Sequence, residues 1–235
     1  VLIVSSWAPP MPGGPQNLYN LFSQFPKDSY AILTSGHSIE EGRKGHTLGS
    51  WLPGKYYFYD YAPTEQSPTG SDRTERSPKS PPLFKRALTK IIRSIPWAGP
   101  RVYDVLGTCN LIRTFTQAAV RAARQLKAEL LMGISDKGPA LISTWLAARK
   151  LRRPYVVYLF DLYRGNNLTG MLAFLANILE RSIMTNAKSV IVTNEGTAEY
   201  YHRRYGTKIT TAVVHNSTFG SAYEQIRRPY DPQPP

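Results

Sequence analysis

Residues 128–160 read AELLMGISDKGPALISTWLAARKLRRPYVVYLF. Ala128 to Ile134 is an apolar run of strand length, and Ser135-Asp136-Lys137-Gly138-Pro139 is a turn. The segment that follows, ending near Leu151, has helical length, and Pro154 to Phe160 is a second apolar run. Strand, helix and strand in these lengths, with strands apolar on both faces, predict a βαβ unit in a parallel sheet covered on both sides.

The pattern extends in both directions. Downstream, a loop over Asp161 to Asn167 leads to a helix at Met171 to Met184, a strand at Ser189 to Thr193, a helix at Gly196 to Tyr205 and a strand at Thr211 to His215. Upstream, Val1 to Val4 reads as a buried strand stopped by Ser5-Ser6 and the cluster Pro9-Pro10-Met11-Pro12-Gly13-Gly14-Pro15. Leu18, Leu21, Phe22 and Phe25 then mark one helical face. Tyr30 to Thr34 and Lys55 to Tyr61 are further strands, and a long helix is predicted from Tyr103 to Leu126, with Ile112, Phe115, Ala119, Ala122, Ala123 and Leu126 inward. The expected fold class is α/β, a doubly wound, mostly parallel, Rossmann-like sheet.

Composition sets limits on that reading. The chain has 235 residues, 42% of them hydrophobic, enough for a core and incompatible with a wholly disordered basic tail. Its one cysteine, Cys109, allows no internal disulfide and is expected as a small buried residue of the long helix. No run approaches the ~18 apolar residues of a spanning helix. The chain opens on Val1-Leu2-Ile3-Val4 without Met or a signal peptide, so its first residue or residues are expected to be missing.

The 29 Lys+Arg against 16 Asp+Glu give +13, and part of that charge is concentrated. Pro63 to Pro82 is rich in Pro, Ser and charged residues and is expected as a mobile loop. Across 83–95, Phe84, Leu88, Ile91, Ile92 and Ile95 recur at helical spacing opposite Lys85, Arg86, Lys90 and Arg93. Between Pro63 and Arg101 stand eight Lys/Arg and three acids. Such a basic amphipathic helix suits an anionic membrane surface, and equally a solvated face packed on its own domain. No DNA or RNA motif accompanies the charge, so nucleic acid is not an expected partner.

In a doubly wound sheet, ligands sit beyond the carboxyl ends of the strands. Gly13-Gly14, before a helix, would let backbone approach a phosphate, or would serve only a tight turn. Asp136, Lys137 and Gly138 stand at a second such end, where Asp136 could accept a hydroxyl hydrogen bond or cap the helix. Asp161 follows a third strand and could orient a substrate hydroxyl, act as base, or cap the next turn. Glu195-Gly196 and Asn216 complete a polar rim. The dinucleotide G-x-G-x-x-G, the Walker A motif and the G-x-S-x-G elbow are absent, which argues against NAD enzymes, P-loop enzymes and serine hydrolases. His37, His46, His202 and His215 lack metal-ligand spacing, so no metal is expected.

Taken together, Leu2-Ile3-Val4-Ser5-Ser6 with Pro9-Pro10 and Gly13-Gly14, Gly138-Pro139-Ala140-Leu141 through Ala147-Ala148, and Pro154-Tyr155-Val156-Val157 with Phe160-Asp161-Leu162-Tyr163 resemble the N-terminal domain of family 4 retaining glycosyltransferases, which have the GT-B fold. Leu179-Glu180-Arg181 leading to Ala187 through Thr193, then Tyr205-Gly206 and His215-Asn216-Ser217, extend the likeness over 1–219. The family usually has Asn-Gly at the last position and often a His where Phe160 precedes Asp161.

The resemblance implies transfer of a sugar from a nucleotide-sugar donor, with retention, to a glycan or lipid-linked acceptor such as a nascent polysaccharide. Gly13 and Gly14 would approach the donor diphosphate, Asp136, Lys137 and Gly138 the acceptor, and Asp161 the reacting sugar as the candidate catalytic residue. Asn216 would be the interdomain turn, and Lys85, Arg86, Lys90 and Arg93 the face toward membrane or acceptor. The nucleotide sugar is a substrate, and no cofactor is expected. The family's donor site, with a Glu-x7-Glu signature, lies in a second domain. No such Glu pair occurs here, so 220–235 is expected to be a linker or tail toward a missing C-terminal donor domain and the isolated chain to be inactive. The expected location is cytoplasmic, peripheral on the inner membrane face. The alternative is a non-catalytic Rossmann-like module that binds nucleic acid or an acidic polymer.

Overall fold

Seven short runs of apolar and β-branched residues pair as strands: Leu2–Val4 (β1), Ala31–Thr34 (β2), Lys55–Phe58 (β3), Leu131–Ile134 (β4), Tyr155–Leu159 (β5), Ser189–Val192 (β6) and Thr211–Val213 (β7). The computed structural model describes residues 1–9, 11, 13–36, 51–60, 99–136, 138–165 and 168–215. The predicted loop 63–82, the basic helix 83–95 with Lys85, Arg86, Lys90 and Arg93, the positions Lys137 and Asn216, and the tail 220–235 lie outside the described residues.

All seven strands are parallel and lie in the order β3-β2-β1-β4-β5-β6-β7. The order reverses between β1 and β4, which pair Leu2 with Leu131, Ile3 with Met132 and Val4 with Gly133. At that reversal the connections leaving β1 and β4 turn to opposite faces of the sheet, the place at the carboxyl ends where doubly wound folds form their ligand crevice.

The helices are Gly14–Phe22 (α1), Gly99–Gln125 (α2), Pro139–Leu151 (α3), Gly170–Thr185 (α4) and Glu195–Tyr205 (α5). Side-chain alternation along the strands sorts the core into two layers. Leu2, Val4, Leu33, Leu131, Val157 and Val190 face α2 to α5, against Phe115, Leu141, Ile183 and Tyr201. Ile3, Ile32, Tyr56, Ile134 and Tyr158 face the other way, where α1 contributes Leu18 and Phe22. Each of those α1 side chains contributes about 1.5–3 kcal/mol by its burial. Helix α2 rises ~40 Å over its 27 residues, far longer than a four-residue strand, so its first turns, 101–107, stand exposed beyond the sheet.

Three side chains depart from the sequence expectation. Phe25 is 49% exposed because α1 stops at Phe22, where Ser23 caps it, and the predicted helical face does not extend to residue 25. Cys109 is exposed, because the buried stripe of α2 runs through Thr108, Ile112, Phe115, Ala119 and Ala122, off its face. Leu126 is only partly buried, just past the end of α2.

Candidate functional site at the carboxyl ends of β1, β4 and β5

The rim of the crevice is tied together across strands. Asp136, after β4, turns back to the loop after β1: its Oδ2 accepts from the Ser5 hydroxyl at 2.8 Å, from the Trp7 amide at 3.1 Å and from the Ser6 amide. One carboxylate oxygen thus holds the start of the loop that carries Gly13 and Gly14, with charge-assisted bonds that are stronger than neutral ones. The N-cap position of α3 belongs to Gly138, not to Asp136. A second carboxylate works the same way on the neighbouring strands: Asp60 accepts from Ser35 Oγ at 2.8 Å and from the Gly36 amide at 2.7 Å. Burial pushes the nearby Tyr59 phenol up; a hydrogen bond with Ser35 opposes that shift, and Asp60 and Asp136 add to it.

The loops after β4, β5 and β6 meet at Phe160. Its amide donates to Ser135 Oγ at 3.0 Å, and its carbonyl accepts from Thr193 Oγ1 at 3.2 Å. Its ring lies edge-on to Tyr158 at 4.9 Å and covers Gly14, where any Cβ would collide with it. Asp161 comes next in the chain and is exposed. Phe160 therefore brings the residue beside Asp161 into contact with the glycine loop.

The two glycines of that loop differ. Gly14 is required by the Phe160 ring, whereas Gly13 has φ +80 and, among the described residues, nothing within 4 Å of where a Cβ would stand. Gly13 is the N-cap residue of α1, which has no side-chain cap, so the first amides of the helix rely on other partners. Gly138 caps α3 with φ +87, and there Leu168 Cδ2 lies 3.0 Å from a built Cβ. The Gly138 carbonyl accepts from the Tyr163 hydroxyl at 3.1 Å.

Of the residues singled out from the sequence, Gly13, Gly14, Asp136, Gly138 and Asp161 come to one rim. Glu195 stands at the start of α5 with Oε1 3.0 Å from His215 Nε2, both exposed. Lys137, Asn216 and the cations at 85–93 lie outside the described residues. Sequence reading missed Asp60 and Tyr163. Asp60 follows β3, but the sequence reading ran that strand on to Tyr61, whereas it ends at Phe58; the buried hydroxyl of Tyr163 left no signal. Among the described residues no group of three or more His, Cys, Asp or Glu could hold a metal, and no helix is long and apolar enough to cross a membrane.

No curated protein matches the chain. A family model described as the glycosyl transferase 4-like domain matches residues 71–217, more than half of the sequence. The match spans β4 to β7 with Asp136, Gly138 and Asp161, and begins after the Gly13-Gly14 loop. This favours the transferase over the binding-module alternative. With its seven-stranded parallel sheet, the chain belongs to the glycosyltransferase 4-like family as a Rossmann-like N-terminal lobe of the GT-B type, and its function is of the glycosyltransferase kind.

Proposed function

We propose that this lobe, over 1–219, is the acceptor side of a retaining hexosyltransferase that moves a sugar from a nucleotide-sugar donor to a lipid-linked or polysaccharide acceptor. The observation that carries the reading is Gly13: an uncapped helix start, open on its Cβ side, in the same loop as Gly14, which touches the residue preceding an exposed Asp161. A helix N-terminus favours an anion through its dipole even though Pro15 has no amide and the Gln16 amide is bonded to the Gly13 carbonyl, so the donor diphosphate is the fitting group at Gly13 and Gly14. Asp161 is the carboxylate that orients the acceptor hydroxyl or takes its proton as the new glycosidic bond forms and the bond to diphosphate breaks.

Asp136 holds the glycine loop, and Lys137 and Gly138 meet the acceptor. In this reading the donor nucleotide is held by a second lobe joined through Asn216, and these 235 residues, in which no Glu-x7-Glu pair occurs, are expected not to turn over by themselves. The reading includes no metal and no cofactor. A cytoplasmic location on the inner face of an anionic membrane, in polysaccharide synthesis, is supported by the basic residues Lys85, Arg86, Lys90 and Arg93 and by exposed Val102, Leu106, Phe174 and Ile178 on α2 and α4.

The test uses nucleotide release from a panel of nucleotide sugars, with and without a membrane lipid extract as acceptor. No release by the chain alone is expected, and measurable transfer by it overturns the two-lobe division. In a transfer-competent protein, D161N is expected to lower kcat by about 10²–10⁴ with the fold intact; an unchanged kcat removes Asp161 from the chemistry. Anionic liposomes should retain the chain at low salt and release it at high salt. Retention that survives replacing Lys85, Arg86, Lys90 and Arg93 by Ser rejects their role at the membrane.

A further inference from the structure

Glu180 is a carboxylate on the buried stripe of α4, beside Ala176, Ile183 and Met184, and is only 1% exposed. A carboxylate that far from water is kept only with partners. Its Oε2 accepts from the Tyr205 hydroxyl at 2.7 Å and lies 3.4 Å from Arg204 Nε. Its Oε1 accepts from the Tyr201 hydroxyl at 3.3 Å. The Tyr201 oxygen in turn accepts the backbone amide of Tyr163 at 3.1 Å, and the Tyr163 hydroxyl donates to the Gly138 carbonyl at 3.1 Å. Tyr201 and Tyr163 are 0% and 1% exposed, so no water substitutes for either bond.

Tyr163 opens a single 3-10 turn, Tyr163–Gly165, two residues after Asp161. Without an acceptor at Tyr201, its amide would be a buried, unpaired donor, and the turn would lose its tie to α5 while keeping the Arg164–Asn177 bond to α4. Each donor in the chain points the same way, from the Tyr163 amide through the Tyr201 hydroxyl to Glu180, so each bond polarises the next. The same tyrosine that is fixed through its amide fixes Gly138 through its hydroxyl. One buried carboxylate between α4 and α5 therefore governs two loops of the crevice rim.

We propose that Tyr201, backed by Glu180, is a positioning residue for glycosyl transfer: it sets the loop of Asp161 and, through Tyr163, the start of α3 at Gly138. The proposal rests on the reading that these loops line the acceptor. Tyr205 binds the same carboxylate yet makes no bond to Tyr163, and so provides the control.

The experiment compares amide hydrogen exchange and ¹H–¹⁵N spectra of the full chain with those of Y201F and Y205F. In Y201F the amides of Leu162, Tyr163, Arg164 and Ala140 are expected to exchange at least about tenfold faster. The Tyr163 amide resonance should move as its acceptor is lost, while β1 and β4 stay unchanged. Y205F should leave the Tyr163 resonance and both loops as in the native chain. Native exchange rates at 162–164 in Y201F, or equal loosening in Y205F, overturn the proposal. Should Y201F not fold, the native chain decides: a Tyr163 amide protected less than about a hundredfold relative to a free peptide amide contradicts a buried bond to Tyr201. Failure here leaves the acceptor reading standing, since that reading fails on transfer by D161N and not on loop exchange.

Discussion

Helices α1 and α3 begin in the same way and meet different surroundings. Each has glycine at its N-cap with positive φ, +80 at Gly13 and +87 at Gly138, proline in the first turn, and no side-chain cap. Proline supplies the helical φ and lacks the amide that would be orphaned there, and glycine alone takes the preceding positive φ without strain. At Gly138 the remaining space is filled by Leu168 on one side and the Tyr163 hydroxyl on the other. At Gly13 no atom of the other described residues comes within 4 Å of where a Cβ would stand. Identical local chemistry thus makes a structural joint after β4 and an open anion-facing end after β1, and the difference lies in what packs against it.

Alkali should break the closed side most completely. Burial pushes the phenols of Tyr163 and Tyr201 well up, with Glu180 adding to both, and burial with the Glu180 hydrogen bond pushes Tyr205 to about 12. Each group holds its proton more tightly in the folded chain, so its stabilisation is complete below the ordinary phenol pKa of ~10 and is lost as pH rises through the folded value. Chemical denaturation should show stability level from pH 8 to about 10 and falling steeply by about 12. A flat profile to pH 12 would mean that these phenols are not buried.

Next in size is Asp136→Ala. Removing the oxygen that Ser5, Ser6 and Trp7 share strands the Ser6 and Trp7 amides at the foot of the open loop, while the Ser5 hydroxyl keeps the Trp7 carbonyl as acceptor, at a cost of about 2–3 kcal/mol. Urea midpoints measure it, and a loss under about 1 kcal/mol would make the clamp incidental. The smallest effects separate the two glycines directly. Both G13A and G138A place a Cβ at positive φ, for about 1 kcal/mol each. G138A also presses Leu168 at 3.0 Å, so it should cost up to about 1 kcal/mol more. Equal shifts in Tm would remove the distinction between the closed joint and the open one.

Much of this was legible in the sequence. The continuous apolar strands β4 and β5 with their intervening helix gave the parallel sheet, because strands buried on both faces cannot alternate; the expected cover on both sides fails at β6 and β7, which are part-exposed towards the edge of the sheet. The glycines at 13, 14 and 138 and the aspartates at 136 and 161 announced the rim, because they follow strands. What each does was not legible. Whether Asp136 faces a ligand or Ser5 depends on contacts across 131 positions of chain, as does the Phe160 ring that makes Gly14 obligatory and leaves Gly13 free. Glu180 did leave a trace, a charge on an apolar helical stripe, but its partners lie on another helix. Phe25 and Cys109 failed for a simpler reason: apolar spacing continues past the point where a helix ends or turns its face.

The central claim is that the Gly13 end takes the diphosphate of the donor while Gly138 is a joint of the fold. Titrating the ¹⁵N-labelled chain with UDP and with GDP to millimolar concentration tests it most directly. Expected are progressive shifts of the Gly13 and Gly14 amides, with much smaller changes at Gly138 and none at the opposite ends of the strands. Shifts centred on Gly138, or none at Gly13 with either nucleotide, would contradict it.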